Sequence, residues 1–187
     1  MNSKIYIAFI IFMVGIQFSC EKKFTEPAGL LDGYSFETDP VQFSPYSEFA
    51  DNYTLSWTNE EAFDGENSLS ISTTQTNNQS FAFWNLSYLD FEPNQPFKVR
   101  VKVKTVDMEG SGGIQMNMFA RSKDGTNHFT SGLGEKISNT NGEWETIEVS
   151  LARNPTDAVG YIDIYFLFLA GSTGTAYWDK LEIFTGE

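Results

Sequence analysis

The segment Phe97-Lys98-Val99-Arg100-Val101-Lys102-Val103-Lys104 decides the fold class of this chain. Its apolar and cationic residues alternate with a period of two, the pattern of a β-strand with one face in a core and the other in solvent. No stretch after residue 30 sustains an apolar period near 3.6, which an amphipathic helix would require. The mature part of the chain is therefore predicted to be built from strands.

Strand-like segments recur on both sides of this one, and turn signals separate them. The segments are 68–72, 81–88, 114–121, 147–151, 161–169 and 176–184. The turn signals are Asp64-Gly65, Pro93-Asn94, Asp124-Gly125, Asn141-Gly142, Asn154-Pro155 and Gly171 to Gly174. Many short strands without intervening helices predict an all-β fold, a two-sheet antiparallel β-sandwich of the jelly-roll type.

The composition excludes several classes of function. The 187 residues carry a net charge of −13, whereas a nucleic-acid-binding protein needs a basic surface to neutralise phosphates. We therefore expect no nucleic acid partner. A single Cys and a single His leave little material for thiol chemistry or for a His- and Cys-ligated metal site.

The N-terminus reads as a secretion signal. Lys4 precedes a mostly apolar run from Ile5 to Phe18, which is too short to span a bilayer as a helix but suits the core of a signal peptide. The run ends at Ser19-Cys20, which resembles the lipobox of bacterial lipoproteins, with Gln17 and Phe18 departing from the usual pattern. Looser lipoboxes of this kind are typical of Bacteroidetes-type lipoproteins.

This resemblance implies cleavage after residue 19 and lipidation of Cys20. Residues 1–19 are then the signal peptide, 20–32 a lipidated Cys with a tether, and 33–187 the folded domain. The expected location is the outer membrane, with the domain facing the periplasm or the cell surface and the membrane as a partner through the lipid. A plain secretory signal with an incidental Cys20 is the alternative.

The order of several short motifs resembles the carbohydrate-binding modules of the galactose-binding-like jelly-roll group, especially families four, nine and twenty-two. The motifs are Gly33 to Glu37, Trp57, Asp64 to Ile71, Gly142-Glu143-Trp144 and Gly174 to Ile183. The resemblance covers residues 33–184 and implies a non-catalytic domain that binds a polysaccharide or oligosaccharide. It also implies a structural Ca²⁺, with Glu37, Asp64 and Asp179 as the matching ligands. The alternative is that these three are ordinary surface acids.

In such jelly rolls one sheet has a concave outer face that commonly receives a glycan. Strand alternation would place 81–87, 114–121 and 161–169 in that sheet, and 68–75 and 97–105 in the other. If Ile114, Met116 and Met118 face the core, the outward row mixes an aromatic ring with polar groups that suit sugar hydroxyls. The predicted glycan-binding residues are Gln115, Asn117, Phe119, Arg121, Asp163 and Tyr165, with Tyr161 beside them.

Other residues have weaker assignments. The run 81–85 has aromatic residues at both odd and even positions, so its orientation is not fixed and Trp84 is included in the glycan site as a guess. Trp57, Trp144 and Trp178 are assigned to the core. An outward row of amides and Arg is also compatible with a plain solvated face. The cationic row of residues 98–104 is interpreted as a solvated or edge-protecting face, with an acidic glycan or anionic lipid as the alternative.

Three other functions remain open at this stage. A protein–protein interaction or adhesion module, with partners in the cell envelope, would use the same exposed aromatic and amide residues. A polysaccharide lyase is less expected, and Arg121, His128 and Tyr165 would be its trio to test. A glycosidase would need two paired carboxylates. We expect a non-enzymatic protein.

Overall fold

The computed structural model describes residues 29–76 and 79–186, which form two antiparallel sheets packed face to face. The strands are β1 (Leu30–Tyr34), β2 (Phe43–Ser47), β3 (Thr54–Thr58), β4 (Ser68–Thr73), β5 (Ala82–Tyr88), β6 (Phe97–Gly110), β7 (Gly113–Ser122), β8 (His128–Leu133), β9 (Glu145–Ser150), β10 (Val159–Leu169) and β11 (Ser172–Thr185). A single turn of 3-10 helix spans Ala50–Asn52. The predicted all-β sandwich is confirmed.

The first sheet has the strand order β3-β4-β11-β6-β9, with β1 also paired to β11. The long strand β11 changes partner along its length, since β4 pairs with residues 174–178 and β1 with residues 181–184. The second sheet has the order β2-β5-β10-β7-β8. The predicted separation of 81–87, 114–121 and 161–169 from 68–75 and 97–105 is therefore confirmed.

The core fills the space between the sheets with the inward side chains of both. Val99, Val101 and Val103 of β6 are fully buried, as their alternation with four cations predicts. Trp178 of β11 stacks on Phe166 of β10 across the core at a centroid distance of 6.1 Å. Burial of these apolar surfaces is the main force that holds the two sheets together.

The strand β2 was missed from the sequence. The strand β2 contains Pro45 and little alternation, so its pattern does not distinguish it from a loop, but it pairs with β5 at the sheet edge, where Pro is tolerated. The stretch around His128, interpreted as a loop or an edge strand, is the edge strand β8. The predicted domain start at residue 33 is also late, because β1 begins at Leu30 and Leu31 packs against the core.

The predictions for the signal peptide, Cys20 and most of the tether concern residues 1–28, which lie outside the described residues. Within the described ranges, no helix has the length and apolar character needed to cross a membrane.

Candidate functional site

The outer face of the second sheet collects the predicted glycan-binding residues. On β10, Ile162, Ile164, Phe166 and Phe168 are buried in the core, whereas Tyr161 and Tyr165 are only partly buried and lie on the opposite side. On β7, Ile114, Met116 and Met118 are fully buried, and Gln115, Asn117, Phe119 and Arg121 alternate with them. The predicted orientation of both strands is therefore correct.

Aromatic rings form a continuous line across this face, which we call the aromatic strip. It takes one ring from each of the five strands, Tyr46, Phe83, Tyr165, Phe119 and His128, and Phe81 extends it at the β2–β5 side. Neighbouring ring centroids are 4.8 Å apart for Tyr46–Phe83, 5.0 Å for Phe83–Tyr165, 5.8 Å for Tyr165–Phe119 and 5.1 Å for Phe119–His128.

The strip runs diagonally, because successive rings step along the strands. Tyr46 lies directly opposite Phe83, but Phe83 lies opposite Leu167, and Tyr165 is two residues away from that position. Diagonal neighbours on paired strands are within reach of aromatic side chains. Five strands at their usual spacing give the strip a length of about 19 Å across the sheet. A surface of this length suits an elongated ligand better than a single small ring.

A hydrogen-bonded cluster around Asp163 lies on one side of the strip. The buried carboxylate accepts hydrogen bonds from Arg121 Nε at 2.7 Å and from the Tyr165 hydroxyl at 3.1 Å, both at Oδ2, and from Ser87 Oγ at 2.7 Å at Oδ1. The guanidinium also lies over the Phe119 ring, 5.7 Å from its centroid. Asp163 therefore holds Arg121 and Tyr165 in fixed positions on the face, and its own oxygens are occupied.

Tyr165 is held in its neutral, hydrogen-bond-donating form. Burial and the neighbouring Asp163 carboxylate raise the pKa of its phenol, although Arg121 acts in the opposite direction. A tyrosine that acts as the base of a lyase must first be deprotonated. A raised pKa makes that form of Tyr165 rarer, so it disfavours this role. Arg121, His128 and Tyr165 do share this face, but the Tyr165 hydroxyl is already donating to Asp163.

A glycosidase would need two carboxylates across the scissile bond, about 5 to 9.5 Å apart. Among the outward side chains of β2, β5, β7, β8 and β10, all within the described residues, Asp163 is the single carboxylate. This face therefore offers no carboxylate pair for that reaction.

The structure corrects the placement of three tryptophans. Trp84 was included in the glycan site, but it is 7% exposed in the core, and its indole Nε1 donates to the Ser70 carbonyl of the opposite sheet at 3.1 Å. Its neighbours Phe83 and Asn85 face outward instead. Trp57 and Trp144 were assigned to the core, but Trp57 is 41% exposed and Trp144 is half-buried at the surface. Of the three tryptophans that were assigned to the core, only Trp178 lies there.

Tyr46, Phe81 and Phe83 also belong to the face, although the sequence pattern did not predict them there. Tyr46 belongs to β2, which the pattern did not reveal. Phe81 and Phe83 belong to a run that is aromatic at both parities, so only the pairing of β5 with β10 decides which rings are buried. No alternation of polarity in residues 81–85 distinguishes the two sides, so the sequence holds no local signal for these rings.

The cationic row of β6 lies on the outer face of the other sheet and is neutralised there. Arg100 contacts Glu148 at 2.8 Å and Glu182 at 3.7 Å, Lys98 contacts Glu148 at 3.6 Å, and Lys104 contacts Glu61 at 2.8 Å. Lys102 donates to Thr146 Oγ1 at 2.7 Å and lies over the Phe63 ring. The row forms a solvated face, as expected. It does not protect an edge, because β6 lies between β11 and β9.

The three predicted calcium ligands are engaged with the protein itself. Asp179 is 0% exposed and accepts hydrogen bonds from the backbone amides of Phe63, Asp64 and Lys180 at 2.6–2.9 Å. Burial raises the pKa of this carboxyl, although the three amides act in the opposite direction. Glu37 accepts from the amides of Glu66 and Asn67 at 3.0 Å.

The third predicted ligand, Asp64, points toward Lys180, whose Nζ is 3.5 Å from its Oδ2. No group of three His, Cys, Asp or Glu side chains placed to hold a metal occurs within residues 29–76 and 79–186. Ca²⁺ takes six to eight oxygen ligands, and in this arrangement the carboxylates of Glu37, Asp64 and Asp179 do not lie together in one cluster. Calcium binding by the protein stays a prediction, and no function is derived through it.

Comparison with known proteins shows that this chain has a fold similar to those of several solved structures. No protein-family model matches the sequence, and no curated protein matches it. Among solved structures, the xylan-binding domain CBM22-1 of Xyn10C from Paenibacillus barcinonensis is similar over 84% of this chain and 95% of that one, with a TM-score of 0.60 and 16% identity.

Enzymes share the same fold. The enzymatically active domain of tailspike protein 4 from bacteriophage CBA120 matches 81% of this chain and 20% of that chain at 14% identity, with a TM-score of 0.62. The Stig cyclase Fisc from Fischerella sp. TAU matches 80% of this chain and 88% of that one at 14% identity, with a TM-score of 0.55. The chain thus has the β-sandwich of carbohydrate-binding modules, a fold that also carries catalysis in other proteins.

Proposed function

We propose that this protein binds a polysaccharide or oligosaccharide along the aromatic strip and does not catalyse a reaction on it. The observation that carries the proposal is the strip itself, five rings from five strands on an open face. Aromatic faces pack against the C–H faces of sugar rings, and nearby donors and acceptors bind the hydroxyls.

The polar groups beside the strip complement this platform. The Arg121 side chain donates through Nε to Asp163 and is 31% exposed, so its guanidinium lies at the surface of this face. Asn85 and Asn117 add amides on the rows next to Tyr165. The resemblance in motif order and the fold shared with xylan-binding domains support glycan binding over other uses of this face.

The test is a glycan array followed by titration calorimetry with the polysaccharide bound best. We expect the double variant Phe119→Ala/Tyr165→Ala to lose about 30-fold or more in affinity, because two aromatic anchors each contribute on the order of 1–2 kcal/mol. Phe63→Ala is the matched control. Phe63 is also an exposed aromatic residue, at 41%, but it lies against Lys102 on the outer face of the other sheet.

If the protein binds no polysaccharide in the presence of calcium, the proposal is wrong. Capture of an envelope protein by the wild type, lost in the same double variant, would instead assign the face to a protein–protein contact. Unchanged affinity of the double variant would place the glycan elsewhere on the molecule. Thermal melting of each variant checks that the sandwich is intact.

We also propose that the domain is held at the outer membrane by a lipid on Cys20. The support is the apolar run and the lipobox-like Ser19-Cys20 in the sequence. Mass spectrometry of the mature N-terminal peptide checks this, and an unmodified N-terminus at another residue would contradict it.

A further inference from the structure

A depression of about 480 Å³ lies on the same face, on the side of the strip away from Asp163. Its lining includes Phe81 of the strip, Leu167 and Leu169 of β10, Asn117 of β7, and Ser111 and Lys136 at one end. Because Phe81 belongs to both features, the depression is continuous with the aromatic strip. A ligand lying on the strip would therefore pass beside the depression.

The floor of the depression is apolar. Leu167 and Leu169 take outward positions on β10 and remain partly exposed, and Phe81 is 36% exposed beside them. Aliphatic side chains offer nothing to sugar hydroxyls, which lose hydrogen bonds to water when they are placed on such a surface. A methyl group gains from the same burial, at roughly 25 cal/mol per Å² of apolar area.

Asn117 brings an unsatisfied amide to this floor. Its Oδ1 is buried without a hydrogen-bond partner, and within residues 29–76 and 79–186 its side chain makes no hydrogen bond. Its neighbours differ, since Gln115 Nε2 donates to the Gly134 carbonyl at 2.7 Å and Asn85 Nδ2 donates to the Ile164 carbonyl at 3.4 Å. A buried acceptor without a partner is costly and calls for an explanation such as a ligand.

The Asn117 amide is also free to turn. The terminal torsion of Asn is broad, and no internal hydrogen bond holds this amide in one orientation. Rotation exchanges Oδ1 with Nδ2 and breaks no hydrogen bond within the protein. Asn117 can therefore accept a hydrogen bond from an N–H group of a ligand.

Lys136 supplies a donor at the end of the depression. Its Nζ donates to the Ser111 carbonyl at 2.9 Å, which fixes the ammonium near the rim and leaves two N–H groups unused. A carbonyl oxygen of a ligand can accept one of them. The depression thus combines an apolar floor, one acceptor and one donor.

We propose that this depression recognises the acetamido group of an N-acetylated amino sugar. The methyl group packs on Leu167, Leu169 and Phe81, the N–H donates to Asn117 Oδ1, and the carbonyl accepts from Lys136 Nζ. An O-acetyl ester lacks the N–H, and a deoxy-sugar methyl lacks both polar groups, so the acetamido group alone uses all three features. The inference rests on the proposed glycan-binding function of the strip.

The experiment compares two hexasaccharides by calorimetry, β-1,4-linked N-acetylglucosamine and β-1,4-linked glucose, which differ in the substituent at C2. We expect the acetamido hexasaccharide to bind the wild-type protein at least 10-fold more tightly. Asn117→Ala and Leu169→Ser should each reduce that ratio at least 3-fold. Asn85→Ala, on the other side of the strip, is the matched control and should leave the ratio unchanged.

The outcomes separate this inference from the proposed function. Equal affinity for the two hexasaccharides, or an equal ratio in Asn117→Ala, overturns the acetamido assignment and leaves glycan binding intact. Tighter binding of an O-acetylated xylan than of the acetamido hexasaccharide overturns it as well. Binding of no glycan at all contradicts the proposed function itself. Phe119→Ala should weaken both hexasaccharides by the same factor, because it acts on the strip.

Discussion

The two outer faces of this sandwich use their side chains in opposite ways. The outer face of the β3-β4-β11-β6-β9 sheet, here called the charged face, pairs each cation of β6 with a carboxylate, a hydroxyl or an aromatic ring. The outer face of the other sheet, here called the aromatic face, has one ion pair, Arg121–Asp163, and a line of rings open to solvent.

The difference shows how an antiparallel sheet reserves one face for binding. On the charged face, cross-strand partners satisfy one another, so the surface has little to gain from a ligand. On the aromatic face the rings pack against one another, some stacked and some edge to face, and each stays at least partly exposed. Exposed aromatic area beside fixed polar groups is what a ligand can cover with a net gain.

The largest expected effect is a difference in stability between substitutions on the core side of β5 and on its outer side. Trp84→Ala should cost about 3–5 kcal/mol of unfolding free energy, because it empties a large buried volume and removes the hydrogen bond to Ser70. Phe83→Ala, one residue earlier, should cost only about 1–2 kcal/mol, since its ring packs only partly buried beside Tyr46 and Tyr165.

Urea unfolding measures the stability of both variants, and glycan titration measures their function. Phe83→Ala should weaken glycan binding, whereas Trp84→Ala should bind normally at temperatures where it stays folded. Equal destabilisation by both substitutions would contradict the assignment of Phe83 to the outer face.

The next largest effect concerns the loop that carries Glu61 and Phe63 onto the charged face. Asp179→Ala removes the buried carboxylate that accepts from the backbone amides of Phe63, Asp64 and Lys180, and we expect a loss of about 3 kcal/mol. Glycan binding should be unchanged, because the aromatic face lies on the other sheet.

The same protein tests the calcium prediction. We expect equal melting temperatures with and without a chelator, in the wild type and in Asp179→Ala, because backbone amides occupy the carboxylate. A drop in melting temperature with chelator, present only in the wild type, would establish a calcium site at Asp179.

The smallest effect should come from the charged face itself. The hydrogen bond from Arg100, with the charge of Lys98, lowers the pKa of Glu148 below its usual value of 4.5. The stabilisation from Glu148 is therefore present above about pH 4.5 and is lost as the pH falls through the lowered pKa. Glu148→Gln should cost about 0.5 kcal/mol or less at pH 7, since the pair is well exposed, and less than that at pH 3.

Urea unfolding at the two pH values, at low and high salt, measures this difference. Glu143→Gln is the control, because Glu143 is exposed and forms no ion pair within the described ranges. A loss above 1 kcal/mol, or one that is undiminished at pH 3 or in high salt, would mean that the charged face is less solvated than its geometry indicates.

Alternation along single strands accounts for the part of the site that was predicted. Residues 114–121 and 162–168 alternate cleanly, so their outward members followed from period-two geometry alone. Residues 81–85 do not alternate in polarity, so Trp84 was assigned to the wrong side. The register opposite β10 decides that position, and register depends on strand pairing that no local pattern encodes.

The calcium prediction, which stays untested, also depends on tertiary structure. Acidic residues at matching positions identify candidate ligands, but their distances and partners depend on the turns that carry them. Here the amides of residues 63–67 reach the Glu37 and Asp179 carboxylates, and Lys180 lies against Asp64. No spacing along the chain distinguishes a carboxylate that binds amides from one that binds a metal.

The sequence by itself determined the all-β class and the inward and outward sides of the cleanest strands, because side-chain period is a local property of the chain. The predicted division of five strands between two sheets came from the resemblance to jelly rolls. Only the tertiary structure decided that five rings from five strands form one strip, that the β6 cations are neutralised by β9, β11 and the loop at Glu61, and that a depression with the unpaired Asn117 amide lies beside the strip. These features arise between strands far apart in sequence, and packing alone brings their side chains into contact.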